Sequence, residues 1–271
     1  MQIYKVSPMQ EIFINLYPFA ISGALIGLLV GLTGVGGGSL MTPILTLFFG
    51  VPPGIAVGTD LAFAALTKGV GTIAHRVHGH VRWDIVGYLA LGSLPSAVVT
   101  ILLMKQFGGI DQSWQQAIKV SIGISVFLTA LSLVFRKALL QWIESHPQAQ
   151  LHGRPQRTAT VVVGLVIGVL VTISSIGAGA IGATLILLLY PKLKAAEVAG
   201  TDIAYAVPLT ALAGLGHWWL GNVHFDLLTG LLIGSVPGIW LGARLSKSLP
   251  EKHVRSTLAM TLTLVGIKLV S

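Results

Sequence analysis

Apolar residues occur in long runs along this chain, separated by short stretches that are polar or rich in glycine and proline. Because about 20 residues of helix are needed to cross the hydrocarbon of a bilayer, the longer runs predict membrane-spanning helices. The pattern therefore indicates an all-α polytopic membrane protein. We count ten apolar segments: residues 12–32, 36–50, 55–75, 84–104, 116–135, 157–174, 177–190, 197–218, 226–246 and 255–270.

Two of these segments, 36–50 and 177–190, are too short to span as straight helices, and each follows a break. The first break, Gly31–Ser39, reads Gly-Leu-Thr-Gly-Val-Gly-Gly-Gly-Ser, and the second, Ser174–Ala180, reads Ser-Ser-Ile-Gly-Ala-Gly-Ala. A continuous helix is unfavourable there, because each glycine costs about 1 kcal/mol relative to alanine. We therefore expect half-helices or re-entrant limbs. Paired breaks of this kind point to a transporter's binding site.

The chain also repeats itself with an offset of 142 residues. Residues 58–95 match residues 200–237 at 13 of 38 positions, including the tripeptide Gly-Thr-Asp that opens each stretch. Each half would contain about five helical segments. Because five is odd, the sequence predicts two inverted-topology repeats, with short broken helices after the glycine-rich breaks. The predicted divisions are a first transmembrane repeat at 1–138, a cytoplasmic linker loop at 139–156 and a second transmembrane repeat at 157–271.

The distribution of basic residues supports this topology through the positive-inside rule. Loops assigned to one face contain 12 of the 17 lysines and arginines, and loops assigned to the other face contain four. We therefore predict that both termini lie outside and that loop 136–157 lies in the cytoplasm. Full re-entry of the two short segments would instead give eight spans and move the termini to the other side.

The composition is typical of a membrane protein and argues against a soluble domain and against a nucleic-acid-binding protein. The 271 residues are 54% hydrophobic and 10% charged, with a mean hydropathy of +0.83, whereas a soluble domain carries about 25% charged residues. The net charge of +8 lies in short loops, which favours membrane orientation over a nucleic-acid partner. No removable signal sequence is evident at the N-terminus. Because cysteine is absent, disulfides and thiolate metal sites are excluded, and we expect no cofactor.

Several motifs together carry a family resemblance. They are the run Gly31–Gly38, the tripeptides at 58–60 and 200–202, a span that ends in a histidine-rich loop, and the glycine-spaced run Gly230–Gly242. In this order and repetition they resemble the sulfite exporter TauE/SafE family over nearly the whole chain. The resemblance implies a bacterial-type inner-membrane transporter of small anions, chiefly sulfite, sulfonates and other organosulfur compounds. The second break departs from the pattern, with Ser174, Ser175 and Ala178 where the first has threonine or glycine.

The two breaks are the first candidate for an anion site. Helix N-termini carry about half a positive charge and bind anions through free backbone N–H groups. Glycine allows a ligand to approach the backbone, and hydroxyl groups add donors. The alternative is that small residues simply let membrane helices pack closely. The predicted substrate-binding residues are Thr33, Gly36, Gly37, Gly38, Ser39, Ser174, Ser175, Gly177 and Gly179, together with Lys68.

Lys68 lies about halfway along the segment 55–75. An ionisable group at the membrane centre costs about 2.5–3.5 kcal/mol or more and marks a functional site by default. It would supply the positive charge that holds the substrate anion. The alternatives are pairing with Asp60 or snorkelling. Its repeat counterpart is Thr210, so the charge is not a requirement of the repeated unit.

Four matched residues are candidates for coupling transport to protons. Asp60 and Asp202 follow threonines in the repeated tripeptide. We favour a structural role, in which Thr59 and Thr201 cap the matched helices and each Asp complements the helix dipole in the first turn, over a proton-coupling carboxylate. His75 and His217 share a repeat position at the end of a span and titrate near neutral pH. A metal site at the neighbouring histidines is disfavoured, because the second half does not reproduce them.

The sequence therefore predicts a secondary transporter for a small anion, working by alternating access and coupled to protons or another ion. The alternative is an anion channel on the same inverted-repeat fold. An intramembrane enzyme is disfavoured, because no nucleophile–base or metal motif is present. The substrate, the direction of transport and the oligomeric state are not determined by the sequence. A homodimer in the lipid bilayer is one assembly open to it.

Overall fold

The computed structural model describes residues 17–28, 38–107 and 112–245, with Lys268. This described part is all-helical, with nine α-helices and a short 3₁₀ turn at Pro147–Ala149. The tenth predicted segment, 255–270, lies almost wholly outside the described residues. The helices are α1 (Tyr17–Leu28), α2 (Gly38–Phe48), α3 (Pro53–Val77), α4 (Trp83–Gln106), α5 (Gln112–Ser145), α6 (Arg154–Ser174), α7 (Ala180–Leu189), α8 (Ala195–Trp219) and α9 (Phe225–Leu245).

Five of these helices are long and apolar enough to cross a membrane: α4, α5, α6, α8 and α9. They confirm five of the predicted spans, and the protein is a multi-pass membrane protein. Helix α3 has 25 residues, the same length as α8. Its sequence is less apolar because it contains Asp60, Lys68, His75 and Arg76.

Helix α5 differs from the prediction, because it continues through Ser145 and has 34 residues. The first ten residues of the predicted loop 136–157 are therefore helical. The reason is local: residues 136–145 contain strong helix formers and neither glycine nor proline. The helix ends shortly before Pro147, where the residue preceding a proline is biased away from helical dihedrals.

Helices α2 and α7 have 11 and 10 residues, which is about 15 Å of helix and half of the hydrocarbon thickness. Helix α7 returns toward the start of α6, because its last residues lie beside the first residues of α6. Gln156 Nε2 donates to the carbonyl of Leu189 at 2.7 Å, and the hydroxyls of Thr160 and Tyr190 are 2.9 Å apart. Segment 177–190 is thus a half-helix, and α8 begins at the end of the molecule where α6 began.

Glycines mediate close helix contacts between the two halves of the chain. Gly164 and Gly168 of α6 lie directly against the backbone of Leu89 and Ser93 in α4. The same contact recurs at the α1–α9 interface, where Gly23 and Gly27 lie against Leu231 and Ser235, the repeat counterparts of Leu89 and Ser93. Because the bare backbones touch, no side chain larger than hydrogen fits at these positions.

Basic residues collect at one end of the described assembly. The start of α6 lies beside the start of α4, where the Arg157 guanidinium stacks 5.6 Å from the ring centre of Tyr88. The start of α4 lies beside the start of α8, where the backbone N–H of Arg82 donates to Thr201 Oγ1 at 3.0 Å. The helix ends gathered here carry Arg76, Arg82, Arg154, Arg157, Lys192 and Lys194.

The glycine contacts predict that one added methyl group will destabilise the fold at a specific place. A Cβ at Gly92 would overlap the carbonyl oxygen of Val161 and come within 2.6 Å of the backbone nitrogen of Leu165. We expect Gly92→Ala to cost about 1–3 kcal/mol of stability through overpacking, measured as a lower thermal unfolding midpoint in detergent. Gly87→Ala in the same helix meets open space and is expected to be neutral or slightly stabilising. Equal midpoints for the two variants would contradict the close contact.

Candidate functional site

Helices α3 and α8 run antiparallel and in direct contact at the centre of the molecule. Near one end Gly58 of α3 lies against His217 of α8, and near the other end Gly200 of α8 lies against His75 of α3. Each of these contacts is the repeat counterpart of the other. Because of this antiparallel pairing, residues near position 67 of α3 lie beside residues near position 208 of α8.

The repeated threonines join the two halves at the ends of this pair. Thr59 Oγ1 accepts a hydrogen bond from the backbone N–H of His224, just before α9, at 3.1 Å. Thr201 Oγ1 accepts one from the backbone N–H of Arg82, at the start of α4, at 3.0 Å. The interpretation of these threonines as caps of their own helices is therefore wrong. Each satisfies an N–H at the start of a helix in the opposite half.

The predicted position of Asp60 and Asp202 in the first helical turn is also wrong. Helices α3 and α8 begin at Pro53 and Ala195, so both aspartates lie about two turns inside their helices. Asp60 is 0% exposed and Asp202 is 4% exposed. The helix starts were misjudged because proline is compatible with the first turn of α3, and because α8 begins with alanine and glutamate, which are good helix formers. Carboxyl groups buried at this depth are functional candidates by default.

The second break separates α6 from α7 by a sharp reversal of the backbone. Ser175 caps α6 in a left-handed conformation with φ 60°, and is the one non-glycine residue with positive φ in the described chain. Gly177 and Gly179 follow with φ of 137° and 156°, which only glycine adopts readily. The break predicted from the sequence is thus confirmed at these two glycines. It leaves the carbonyl of Ala178 outside any helix.

Lys68 of α3 reaches this break. Its Nζ donates a hydrogen bond to the carbonyl of Ala178 at 2.7 Å, and the side chain is only 7% exposed. Its charge interacts with Asp202 and with Asp60, although neither carboxylate lies within ion-pair distance in the described structure. Lys68 therefore neither snorkels nor pairs directly with Asp60. It is held inside the helix bundle by a backbone carbonyl that the break leaves free.

Asp60 faces the first turns of α2 and the second break. Its Oδ2 accepts a hydrogen bond from Thr42 Oγ1 at 2.6 Å. Its buried Oδ1 faces the buried hydroxyl of Ser175, and neither atom has a further hydrogen-bond partner among the described groups. Both atoms keep hydrogen-bonding capacity, because a carboxylate oxygen and a hydroxyl can each form more than one hydrogen bond.

Asp202 faces the first turn of α7. A Cβ added at Gly182 would overlap its Oδ1, so the carboxyl lies directly against the start of this helix. The partial positive charge of a helix N-terminus favours a negative group there. The predicted anion-binding end of α7 is thus already faced by an internal carboxylate, whose Oδ1 has no hydrogen-bond partner among the described groups.

The remaining predicted residues differ in their positions. Ser174 is engaged locally, because its hydroxyl donates to the carbonyl of Leu170 at 2.7 Å and contacts Ser125 Oγ at 3.0 Å. In the first break, Thr33, Gly36 and Gly37 lie outside the described residues. Gly38 and Ser39 are the first two residues of α2.

The two matched histidines lie at opposite ends of the α3–α8 pair and not beside Lys68. His217 is 0% exposed; its Nε2 donates to the carbonyl of Thr172 at 2.8 Å, and Asn222 Nδ2 donates to its Nδ1 at 3.4 Å. His75 is half-buried, and its Nδ1 has no hydrogen-bond partner in the described structure. The described residues contain no group of three or more His, Cys, Asp or Glu side chains that could hold a metal ion.

The sequence analysis missed Tyr205. Its side chain is 0% exposed, its hydroxyl has no hydrogen-bond partner among the described groups, and it interacts electrostatically with Asp202. One signal could have indicated it. The repeat counterpart of Tyr205 is Phe63, so this is one of the places where a polar group is present in one half and absent in the other.

A comparison with protein families decides the identity of the chain. The model described as sulfite exporter TauE/SafE matches residues 19–269. The chain belongs to this family of membrane transporters. Its members move solutes across membranes and are not enzymes. No solved structure is significantly similar to the chain.

Curated relatives of this TauE/SafE family protein are full-length matches. Probable membrane transporter protein YjnA of Bacillus subtilis is 35% identical over 92% of this chain and 97% of its own length. Probable membrane transporter protein YdhB of the same organism is 27% identical over 90% and 96%. An archaeal relative, probable membrane transporter protein MJ0441 of Methanocaldococcus jannaschii, is 26% identical over 94% and 96%.

The contact between Thr42 and Asp60 gives a prediction for the site of this TauE/SafE transporter. Thr42→Val removes the donor to a buried carboxyl and is expected to cost about 1.5–3 kcal/mol of stability, measured by thermal unfolding. Thr46→Val is the matched control in the same helix, because its hydroxyl bonds only to carbonyls of its own helix among the described groups. If the two variants unfold alike, Thr42 does not support Asp60.

Proposed function

We propose that this protein is a secondary transporter that carries a small sulfur oxyanion, of the sulfite or sulfonate type, across the cell's inner membrane by alternating access. The observation that carries the proposal is the buried ammonium of Lys68, which donates to the carbonyl of Ala178 in the second break. A neutral carbonyl satisfies one N–H of the ammonium but supplies no negative charge, and neither Asp60 nor Asp202 lies within ion-pair distance of it in the described structure. A substrate anion at the break would supply the missing negative charge.

The other polar groups around Lys68 support an oxyanion site. Ser175 offers a buried hydroxyl beside Asp60, and the first turn of α7 offers a positive helix end to an anion once the carboxyl of Asp202 that faces it is protonated. The glycines at 177 and 179 leave space for a ligand beside the backbone. We assign substrate binding to Lys68, Ser175 and this break. The corresponding residues of the first break, from Thr33 to Ser39, are assigned the same role by the repeat.

The charges of the site favour proton coupling. Lys68 contributes one positive charge, whereas Asp60 and Asp202 contribute two negative charges if both are ionised. An anion would then enter a region with an excess negative charge, and burial would magnify the repulsion. Protonation of at least one carboxyl removes this excess. We therefore assign coupling to the two aspartates in preference to His75 and His217, which lie away from Lys68.

Alternating access between two inverted repeats is supported by the helix positions. The bounds of α8 are those of α3 displaced by 142 residues, and the two helices pack antiparallel. Antiparallel packing of corresponding helices is expected when a two-fold axis lies in the membrane plane. The contacts at Gly58 and Gly200 are reciprocal, as such an axis requires.

We further propose that the basic end of the molecule is cytoplasmic. The helix ends that meet there carry six of the lysines and arginines of the described part, as the positive-inside rule expects of a cytoplasmic face. This orientation puts the connection between α5 and α6, within residues 136–157, in the cytoplasm. A homodimer remains compatible with this arrangement.

Replacement of Lys68 tests the anion site. Lys68→Met keeps the length of the side chain and removes its charge, so we expect loss of sulfite and sulfonate transport in proteoliposomes while the protein still inserts. Lys137→Met removes the same charge from an exposed position of α5 and should leave transport unchanged. Undiminished transport by Lys68→Met would remove Lys68 from the substrate site.

Replacement of Asp202 tests proton coupling and separates a carrier from an anion channel. Asp202→Asn is expected to lose the stimulation of net uptake by a pH gradient, while exchange of labelled for unlabelled sulfite continues. Asp226→Asn, at an exposed position in the first turn of α9, is the control. A channel would show no saturable counterflow in the unmodified protein, and the flux would follow the electrochemical gradient alone.

A further inference from the structure

Buried polar atoms without partners are rare in folded proteins, and each one calls for an explanation. Among the described side chains, the largest fully buried one is Tyr205, and its hydroxyl is such an atom. Burying a hydroxyl without a hydrogen bond is unfavourable, so packing alone does not explain why tyrosine occupies this position.

Tyr205 lies one turn along α8 from Asp202, whose carboxyl faces the start of α7. It follows Asp202 by three residues, which sets both side chains on one side of the helix. The two side chains interact electrostatically. The antiparallel register of α3 and α8 sets Lys68 level with residues near 207, so Tyr205 and Lys68 lie at about the same depth.

The repeat separates the role of the ring from the role of the hydroxyl. The counterpart of Tyr205 is Phe63, which is also buried. An aromatic ring therefore meets the packing requirement in both halves, and the hydroxyl is present in one half only. The same holds for Lys68, whose counterpart is Thr210. The aspartates, the histidines and the threonines of the tripeptides are instead present in both halves.

We propose that the Tyr205 hydroxyl donates a hydrogen bond to an oxygen of the anion held by Lys68, and so helps to select the substrate. This inference rests on the proposed function. An anion with three sulfur-bound oxygens offers acceptors to Lys68, to the second break and to Tyr205 at once. A planar carboxylate has oxygens in only two directions, so it does not present a separate oxygen to each of the three donors, which reduces its affinity.

Tyr205→Phe tests the proposal, because it keeps the ring that the other half already uses. Without ligand, we expect its thermal unfolding midpoint to be equal to or above that of the unmodified protein, since an unpartnered buried hydroxyl is removed. The dissociation constants of sulfite and methanesulfonate, measured by titration of the purified protein, should rise about tenfold or more. The constant for acetate should change less than twofold.

Tyr190→Phe is the matched control, because the Tyr190 hydroxyl contacts Thr160 at 2.9 Å, at the end of α7 away from Lys68. It should show the opposite pattern, with a lower unfolding midpoint and unchanged dissociation constants. If Tyr205→Phe behaves like Tyr190→Phe, the hydroxyl is structural and the inference is overturned. Unchanged affinities with unchanged stability also overturn it.

The failure of this inference is distinguishable from failure of the proposed function. In one outcome, the unmodified protein binds sulfite and methanesulfonate, and Tyr205→Phe leaves their affinities relative to acetate unchanged. Only the role of Tyr205 is then wrong. Where the unmodified protein binds none of these anions, the proposed substrate class is wrong and the inference falls with it. The affinity ratio is insensitive to a general loss of folded protein.

Discussion

An ammonium group in the middle of a membrane protein is the constraint on which the site depends. Lys68 is nearly inaccessible to solvent, and its hydrogen bond is to a backbone carbonyl. In a continuous helix that carbonyl would accept the N–H four residues later and be unavailable. The reversal at Ser175, Gly177 and Gly179 frees it. The buried lysine therefore depends on the interruption of the helix, although the two are 110 residues apart in the chain.

The second constraint is the interdigitation of the two halves. Helix α4 packs against α6 and α8, and α3 packs against α8, whereas α3 and α4 barely touch each other in the described structure. The glycines of α1 and α6 make the same contacts with α9 and α4. The halves are thus related in sequence without being separate packing units. In the proposed cycle, rigid halves cannot rock apart as intact bundles. The moving groups must combine helices of both halves that slide along glycine-lined contacts.

The sequence predicts some of these features well and others poorly, for physical reasons. Helices α4, α6, α8 and α9 follow from uninterrupted apolar runs, and the second break follows from its glycines. The extension of α5 was missed because polar residues after Phe135 were interpreted as a loop, although they are good helix formers. Asp60 and Asp202 were assigned to the first helical turn because the helices were expected to start at the repeated tripeptides, whereas both begin about two turns earlier. The partner of Lys68 could not be predicted, since no periodicity encodes a contact between a side chain and a distant break.

Polar residues that occur in both repeats lie farther from the centre of the α3–α8 pair than Lys68, which occurs in one repeat only. Asp60 and Asp202 lie about seven residues on either side of the centre of the α3–α8 pair, as the register at Gly58 and Gly200 shows. Groups far from a two-fold axis exchange environments when the two sides alternate in access, so a functional group is needed in each half. Lys68 lies beside the centre, where a long flexible side chain can serve both states. A single lysine is then sufficient, and a second one at position 210 would add repulsion to an already buried charge.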